Sequence, residues 1–194
     1  MTSVWLVCHA PTAAVRRAVC GGGDEHLDEG GRAAALIALA PRAGRSPFGR
    51  PGLVVSSPAL AARQTVELAG LEAEVTPALR DLDLGRWRGL SWPQVIEADP
   101  DGAAAWLGDP DAAPHGGESV RAAGRRVADW LGGTDELLGP VVAVTHPTVV
   151  RLAVVHALGL PVTAWTRLDA APLSITRLSR GTSGWRLLLT AGER

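Results

Sequence analysis

The chain has no lysine, only two cysteines in 194 residues, and no apolar run long enough to cross a bilayer. Each absence excludes something. All 19 basic residues are arginine, so there is no ammonium group to lower the pKa of either thiol. An arginine-only basic set beside so much Ala, Gly and Pro points to a GC-rich coding sequence rather than to a function. Two cysteines do not make a disulfide scaffold, and a reduced, cytoplasmic chain is the expectation. The sequence enters an apolar run directly, without the basic and apolar regions of a secretory signal. Charge of one sign is not in excess either. A formal net charge of −1 offers no pull toward nucleic acid or an anionic membrane, which leaves a small molecule as the expected partner.

What is present reads as one soluble domain over residues 1–194, with 46% hydrophobic and 20% charged residues. Short runs rich in Val and Leu predict strands at 4–7, 53–55 and 141–145, with a shorter one at Glu74-Val75. Helical composition predicts helices over 28–40, from Ser56-Ser57-Pro58 to about Ala69, from Ser91 to about Ala98, over 118–131 and over 147–158. In the first of these Leu36, Ile37 and Leu39 occupy the apolar positions. Residues 81–90 read as a structured loop, and 99–117, rich in Pro, Gly and Asp, as an excursion over the sheet edge. Two closing strands, 174–178 and 185–189, are joined through Gly181-Thr182-Ser183-Gly184, a hairpin signal. Strands alternating with helices imply an α/β fold, a three-layer sandwich with a mostly parallel sheet.

The features that carry chemistry are two histidines, each just past an apolar run: His9 after Val4–Val7, and His146 after Val141–Thr145. Ligands of such sheets bind outside the carboxyl ends of the strands, so two imidazoles at two strand ends suggest one site. Imidazoles titrate near neutrality and, beside a carboxylate, run acid–base chemistry. No close ligand spacing such as His-x₃-His supports a metal, and no cofactor motif is present.

The order of several pieces resembles the histidine phosphatase superfamily, the phosphoglycerate-mutase-like proteins. They are Leu6-Val7-Cys8-His9-Ala10-Pro11-Thr12, Leu27-Asp28-Glu29-Gly30-Gly31-Arg32, and Ser56-Ser57-Pro58-Ala59-Leu60-Ala61-Ala62-Arg63-Gln64-Thr65. The segment Leu79–Gly89, Gly116-Gly117-Glu118-Ser119 and Val144-Thr145-His146 follow. The resemblance implies a phosphoglycerate-mutase-like fold. It also implies a histidine that is transiently phosphorylated (His9), a second histidine completing a phosphate pocket (His146), and an acid that protonates the leaving oxygen. Asp81 stands where that acid is usually Glu.

The departures bear on the chemistry. The arginine of the family's Arg-His-Gly motif is Cys8 here, and its glycine is Ala10. The family's second arginine aligns with Ala61. Arg63 lies two residues further along, about 200° around the helix. Two lost guanidinium clamps correspond to about 3–6 kcal/mol of charge-assisted hydrogen bonding, or roughly 10²–10⁴-fold in rate. Arg16 and Arg17, in the loop after His9, are the first candidates to refill the pocket, with Arg86 and Arg151 behind them. Thr12, Cys8, Trp87 and His115 complete the expected substrate-binding set, with Trp106 as a further wall. The residues alone leave plainer roles open: a turn cap for Thr12 and Asp81, an apolar filler for Cys8, a loop histidine for His115. Three functions fit. One is a diverged small-molecule enzyme using histidine–carboxylate acid–base chemistry, with weak or no generic phosphatase activity. Another is a phosphomonoesterase with relocated arginines, and the third a non-catalytic binding relative. A homodimer is compatible with all three.

Overall fold

The computed structural model describes residues 2–41, 46–134, 137 and 139–189; residue 1 and residues 190–194 of the expected domain span lie outside them. Six strands form one sheet: β1 (Thr2–Cys8), β2 (Leu53–Ser56), β3 (Glu74–Val75), β4 (Val141–Thr145), β5 (Ile175–Gly181) and β6 (Gly184–Leu188). Their spatial order is β3-β2-β4-β1-β5-β6. The first four run parallel; β5 is antiparallel to β1, and the hairpin strand β6 is antiparallel to β5. All five residues of β4 are buried, as the near-continuous apolar run of an interior parallel strand requires.

The period-2 alternation of the strands divides the core in two. Val4, Leu6, Cys8, Val55, Val141 and Ala143 point to one face and pack with helices α6 (Val120–Gly133) and α7 (Pro147–Ala157). Val7, Val142 and Val144 point to the other, against Leu39 of α2 (Glu29–Leu39) and Ala62 and Val66 of α3 (Leu60–Leu68). Helices on both faces of a mostly parallel sheet make the three-layer sandwich. Among the described residues no helix is long and apolar enough to cross a membrane.

Several elements differ from the sequence expectation. The excursion at 99–117 contains a helix, α5 (Pro100–Gly108), which follows α4 (Trp92–Ala98); the short α1 (Ala13–Arg16) lies after β1. Asp99 caps α5 by accepting from Gly102 N–H, with Pro100 in the first turn, where its missing N–H costs nothing. Pro58 lies outside α3, whose N-cap is Ala59. In α2, Leu36 and Ile37 are 50% and 68% exposed, and the buried stripe is Gly31, Ala35 and Leu39. The stripe begins with a glycine because a methyl at Gly31 would meet the Pro11 carbonyl at 2.2 Å.

Candidate functional site

Three adjacent parallel strands end close together, β1 and β4 level with each other and β2 one residue short of them, and each is followed by a polar residue. Register pairs Cys8 with Thr145 and Ser56 with Val144. His9, His146 and Ser57 come next. His9 N–H donates to Thr145 O at 2.9 Å and Ser57 N–H to Val144 O at 2.9 Å, so the ladder extends one residue beyond the strands and fixes the three side chains in a row. The rings of His9 and His146 lie 5.0 Å apart at 74°.

One hydrogen bond assigns the His9 tautomer. His9 Nδ1 lies 2.8 Å from Ala10 O, an acceptor only, so Nδ1 carries the proton and Nε2 presents a lone pair. Burial pulls the His9 pKa below the ordinary value, opposed by the Ala10 carbonyl and by the charge of Asp81. His146 Nε2 lies 2.8 Å from Ser57 Oγ, and that oxygen accepts from Ala59 N–H. Its Nδ1 has no hydrogen-bond partner and faces Asp81 Oδ2 at 3.7 Å. Burial, helped by the charges of His9 and Arg126 and opposed by Asp81, lowers the His146 pKa to about 4. Both imidazoles are therefore neutral at pH 7, and each is a base rather than a cation.

Asp81 is held by a braced loop. Thr145 Oγ1 donates to Leu79 O at 2.7 Å, and Arg126 Nη1 donates to Ala78 O and Arg80 O. Arg126 is itself paired with Glu118 at 2.7 Å, and the same carboxylate receives Arg80 at 3.0 Å. Asp81 accepts from Leu82 N–H through Oδ1 and turns Oδ2 toward His146. It caps its own loop and faces His146 at the same time.

A cavity of about 300 Å³ opens here, lined by His146, Asp81, Ser57, Arg80, Arg88 and Asp24, with Gly21, Gly23, Pro58, Ala59, Leu82, Asp83 and Leu84 completing the wall. Gly23 lies against both rings: a methyl on it would stand 2.7 Å from His146 Cε1 and 3.3 Å from His9 Nε2. His9 is buried beneath that loop.

The expected substrate-binding residues go elsewhere. Cys8 is fully buried with Sγ toward Ala170 O, and burial raises its pKa to about 11, so it is a neutral thiol and an apolar filler. Thr12 is buried and caps α1, accepting from Val15 N–H and donating to Gly22 O. Arg16 points outward to Asp28, and Arg17 is exposed; neither lines the cavity. Arg86 likewise turns to Asp99 and Pro114 O, and Arg151 stacks on Trp165. Trp87 and Trp106 are not pocket walls. Trp87 is 1% exposed, donates to Asp99, and packs edge-on with Trp92, Trp106 and His115. His115 belongs to the same aromatic cluster and, though in a loop, is buried rather than exposed; its Nδ1 accepts from Gly117 N–H. Ala61 is fully buried and Arg63 exposed, as the helical period requires. Among the described residues no group of three His, Cys, Asp or Glu side chains could hold a metal.

Sequence reasoning missed Ser57, Asp24, Arg80 and Arg88. The signal for the arginines was present, since both flank the segment that carries Asp81. Asp24 directly follows the triple glycine, and Ser57 stands one residue past a strand, the same position that marked the histidines.

A model of the histidine phosphatase superfamily (branch 1) matches residues 4–191. A glucosyl-3-phosphoglycerate phosphatase of Mycobacterium tuberculosis is 38% identical over 160 residues, covering 75% of this chain and 70% of that protein. The protein of the same name from Mycolicibacterium vanbaalenii is 34% identical over 158 residues, 73% of this chain and 67% of the relative. Among solved structures, mycobacterial glucosyl-3-phosphoglycerate phosphatase in complex with VO3 has a TM-score of 0.79 at 32% identity, over 96% of this chain and 97% of that one. A putative α-ribazole-5′-P phosphatase from Escherichia coli has a TM-score of 0.81 over 97% and 95% of the two chains; at 21% identity it shares the fold alone.

Proposed function

The chain belongs to the histidine phosphatase superfamily, and from that premise we propose that it is a diverged member acting on a small molecule through His9, His146 and Asp81, with weak turnover of generic phosphomonoesters. One observation carries the reading: the positions that hold the family's two clamping arginines are Cys8 and Ala61, both fully buried, leaving those places filled by packing. Phosphoryl transfer depends almost wholly on positioning and charge stabilisation. Here the charged group acting on His9 is Asp81, a carboxylate. The two arginines at the cavity are already paired, Arg88 with Asp24 and Arg80 with Glu118. What remains well formed is acid–base equipment. His9 Nε2 and the neutral imidazole of His146 accept protons, and Asp81 stabilises the imidazolium that forms on His146.

The test is p-nitrophenyl phosphate turnover by the wild type, His9→Ala and the double variant Cys8→Arg/Ala61→Arg. Slow wild-type turnover that rises by about 10²-fold or more in the double variant is expected. Robust wild-type turnover abolished by His9→Ala overturns the reading.

That outcome would favour the second reading, a phosphomonoesterase working through His9. Two observations support it: Arg80 and Arg88 line the cavity, and the relatives bear the name of a phosphatase of glucosyl-3-phosphoglycerate. A phosphorylated sugar acid is the substrate to assay first.

A further inference from the structure

The mouth of the cavity carries a charged contact that the acid–base reading does not use. Residues 21–24 form a short span between two pinned ends. On one side Cys20 N–H donates to Leu90 O and Gly89 N–H to Cys20 O; on the other Leu27 N–H donates to the Gln64 side chain. Between them Gly21 adopts φ +74°, a backbone that favours glycine, and lies against Arg88, whose Cγ a methyl would meet at 2.9 Å. Gly23 lies on the two imidazoles, leaving His9 3% and His146 1% exposed. The span is held down by Thr12 Oγ1 donating to Gly22 O and by the Arg88–Asp24 ion pair. Gly23, which lines the cavity, lies between it and His9.

We propose that Arg88 is the receptor for an oxyanion on the substrate, and that Asp24 occupies it in the closed site, so that binding exchanges one anion for another and frees residues 21–24 to uncover His9 and His146. This rests on the reading of His9 and His146 as the working groups. Four observations point the same way. Arg88 lines the cavity that His146 also lines. Its partner is on the covering span itself, so losing that partner removes one of the contacts that hold the cover down. Both partners are 56% exposed, and an ion pair so solvated contributes little, so exchanging it costs little. The exchange also leaves the charge of the mouth unchanged when the incoming group carries a single charge. Arg80, the other arginine at the cavity, is more firmly committed, since Glu118 also holds Arg126 in a largely buried pair.

Diethyl pyrocarbonate reacts with accessible neutral imidazoles, and peptide mass mapping reads each histidine separately. In the wild type the exposed His26 and His156 should react, and His9 and His146 at least about tenfold more slowly. In Asp24→Asn and in Arg88→Met both should accelerate about fivefold or more, while His115 stays unmodified. His115 is the folding control, because its aromatic cluster opens only on unfolding. Calorimetric titration with inorganic phosphate, and separately with acetate at matched ionic strength, tests the receptor and tells phosphate from carboxylate. Asp24→Asn should bind one of them about tenfold more tightly than the wild type, and Arg88→Met should bind neither. Unchanged labelling of His9 and His146 in both variants overturns the cover. Anion binding that is equal in Asp24→Asn and Arg88→Met overturns the receptor. Labelling and titration need no turnover, so they fail independently of the acid–base reading.

Discussion

The segment from Leu79 to Leu90 borders two buried regions that both contain histidine and are built in opposite ways. At its start, Asp81 faces His146 across 3.7 Å beside a cavity, where the rings are hydrogen-bonded on one edge only. Further along, Trp87 sits in a closed aromatic cluster in which His115 packs at 4.8 Å from it and Trp106 at 6.0 Å. Burial lowers the pKa of His146 and of His115 alike. A buried, perturbed histidine is therefore no mark of a site by itself. The cavity and the facing carboxylate separate the two.

The comparison can be broken most forcefully at Trp87. If the cluster is a structural core, Trp87→Ala should cost about 3–5 kcal/mol in urea denaturation. A loss below 1 kcal/mol would mean that the cluster is loosely packed. The next effect is acidification. The folded pKa of His146 lies near 4, below the ordinary 6.5, so the unfolded chain binds the proton more readily. The associated stability is present above pH 6.5 and is lost as pH falls toward 4, by at most about 3 kcal/mol. His9 and His115, shifted in the same direction, add to the slope. Denaturation at pH 7.5 and pH 4.5 should show the loss, and His146→Gln should remove the largest share of it. Equal slopes in the variant and the wild type would contradict the burial of that imidazole.

Smaller effects sharpen the contrast. His115→Phe keeps an aromatic ring in the cluster and removes only the acceptor of Gly117 N–H, a cost of about 1–2 kcal/mol. It should leave turnover untouched, and a large loss of turnover with stability intact would move His115 into the site. Cys8→Ser should be smallest, with turnover within a few-fold of wild type. An inactive but folded Cys8→Ser protein, with Cys8 labelled stoichiometrically by iodoacetamide, would identify a thiolate site.

Much of this was readable from the residues. Continuous Val runs located β1, β2 and β4, and the polar residue just past β1 and β4 located His9 and His146. The helical period put Arg63 on the outside once Ala61 was known to face inward. What was not readable depended on side chains whose direction no local pattern sets. Trp87 reads equally as wall or core, because an indole needs one hydrogen-bond partner, and that partner, Asp99, lies in another element. Leu36 and Ile37 face outward because the period of α2 puts Gly31, Ala35 and Leu39 on the core face, and apolar type alone does not show that. Arg80 and Arg88 reach the cavity through a loop without period, so no local pattern shows which way they turn.

The strand order carries a consequence for how the chain is made. The central strand, β4, is the fourth in sequence, and both neighbours of β1 lie downstream of residue 140. While a ribosome is still synthesising the first two-thirds of the protein, β1 and β2 therefore lack the strand that joins them, and their apolar edges wait for a distant partner. Such long-range parallel pairing folds slowly and leaves nascent intermediates open to aggregation. The insertion of Val141–Thr145 closes the sheet and, in the same event, carries His146 to His9, so a chain released before that point has neither a core nor a site.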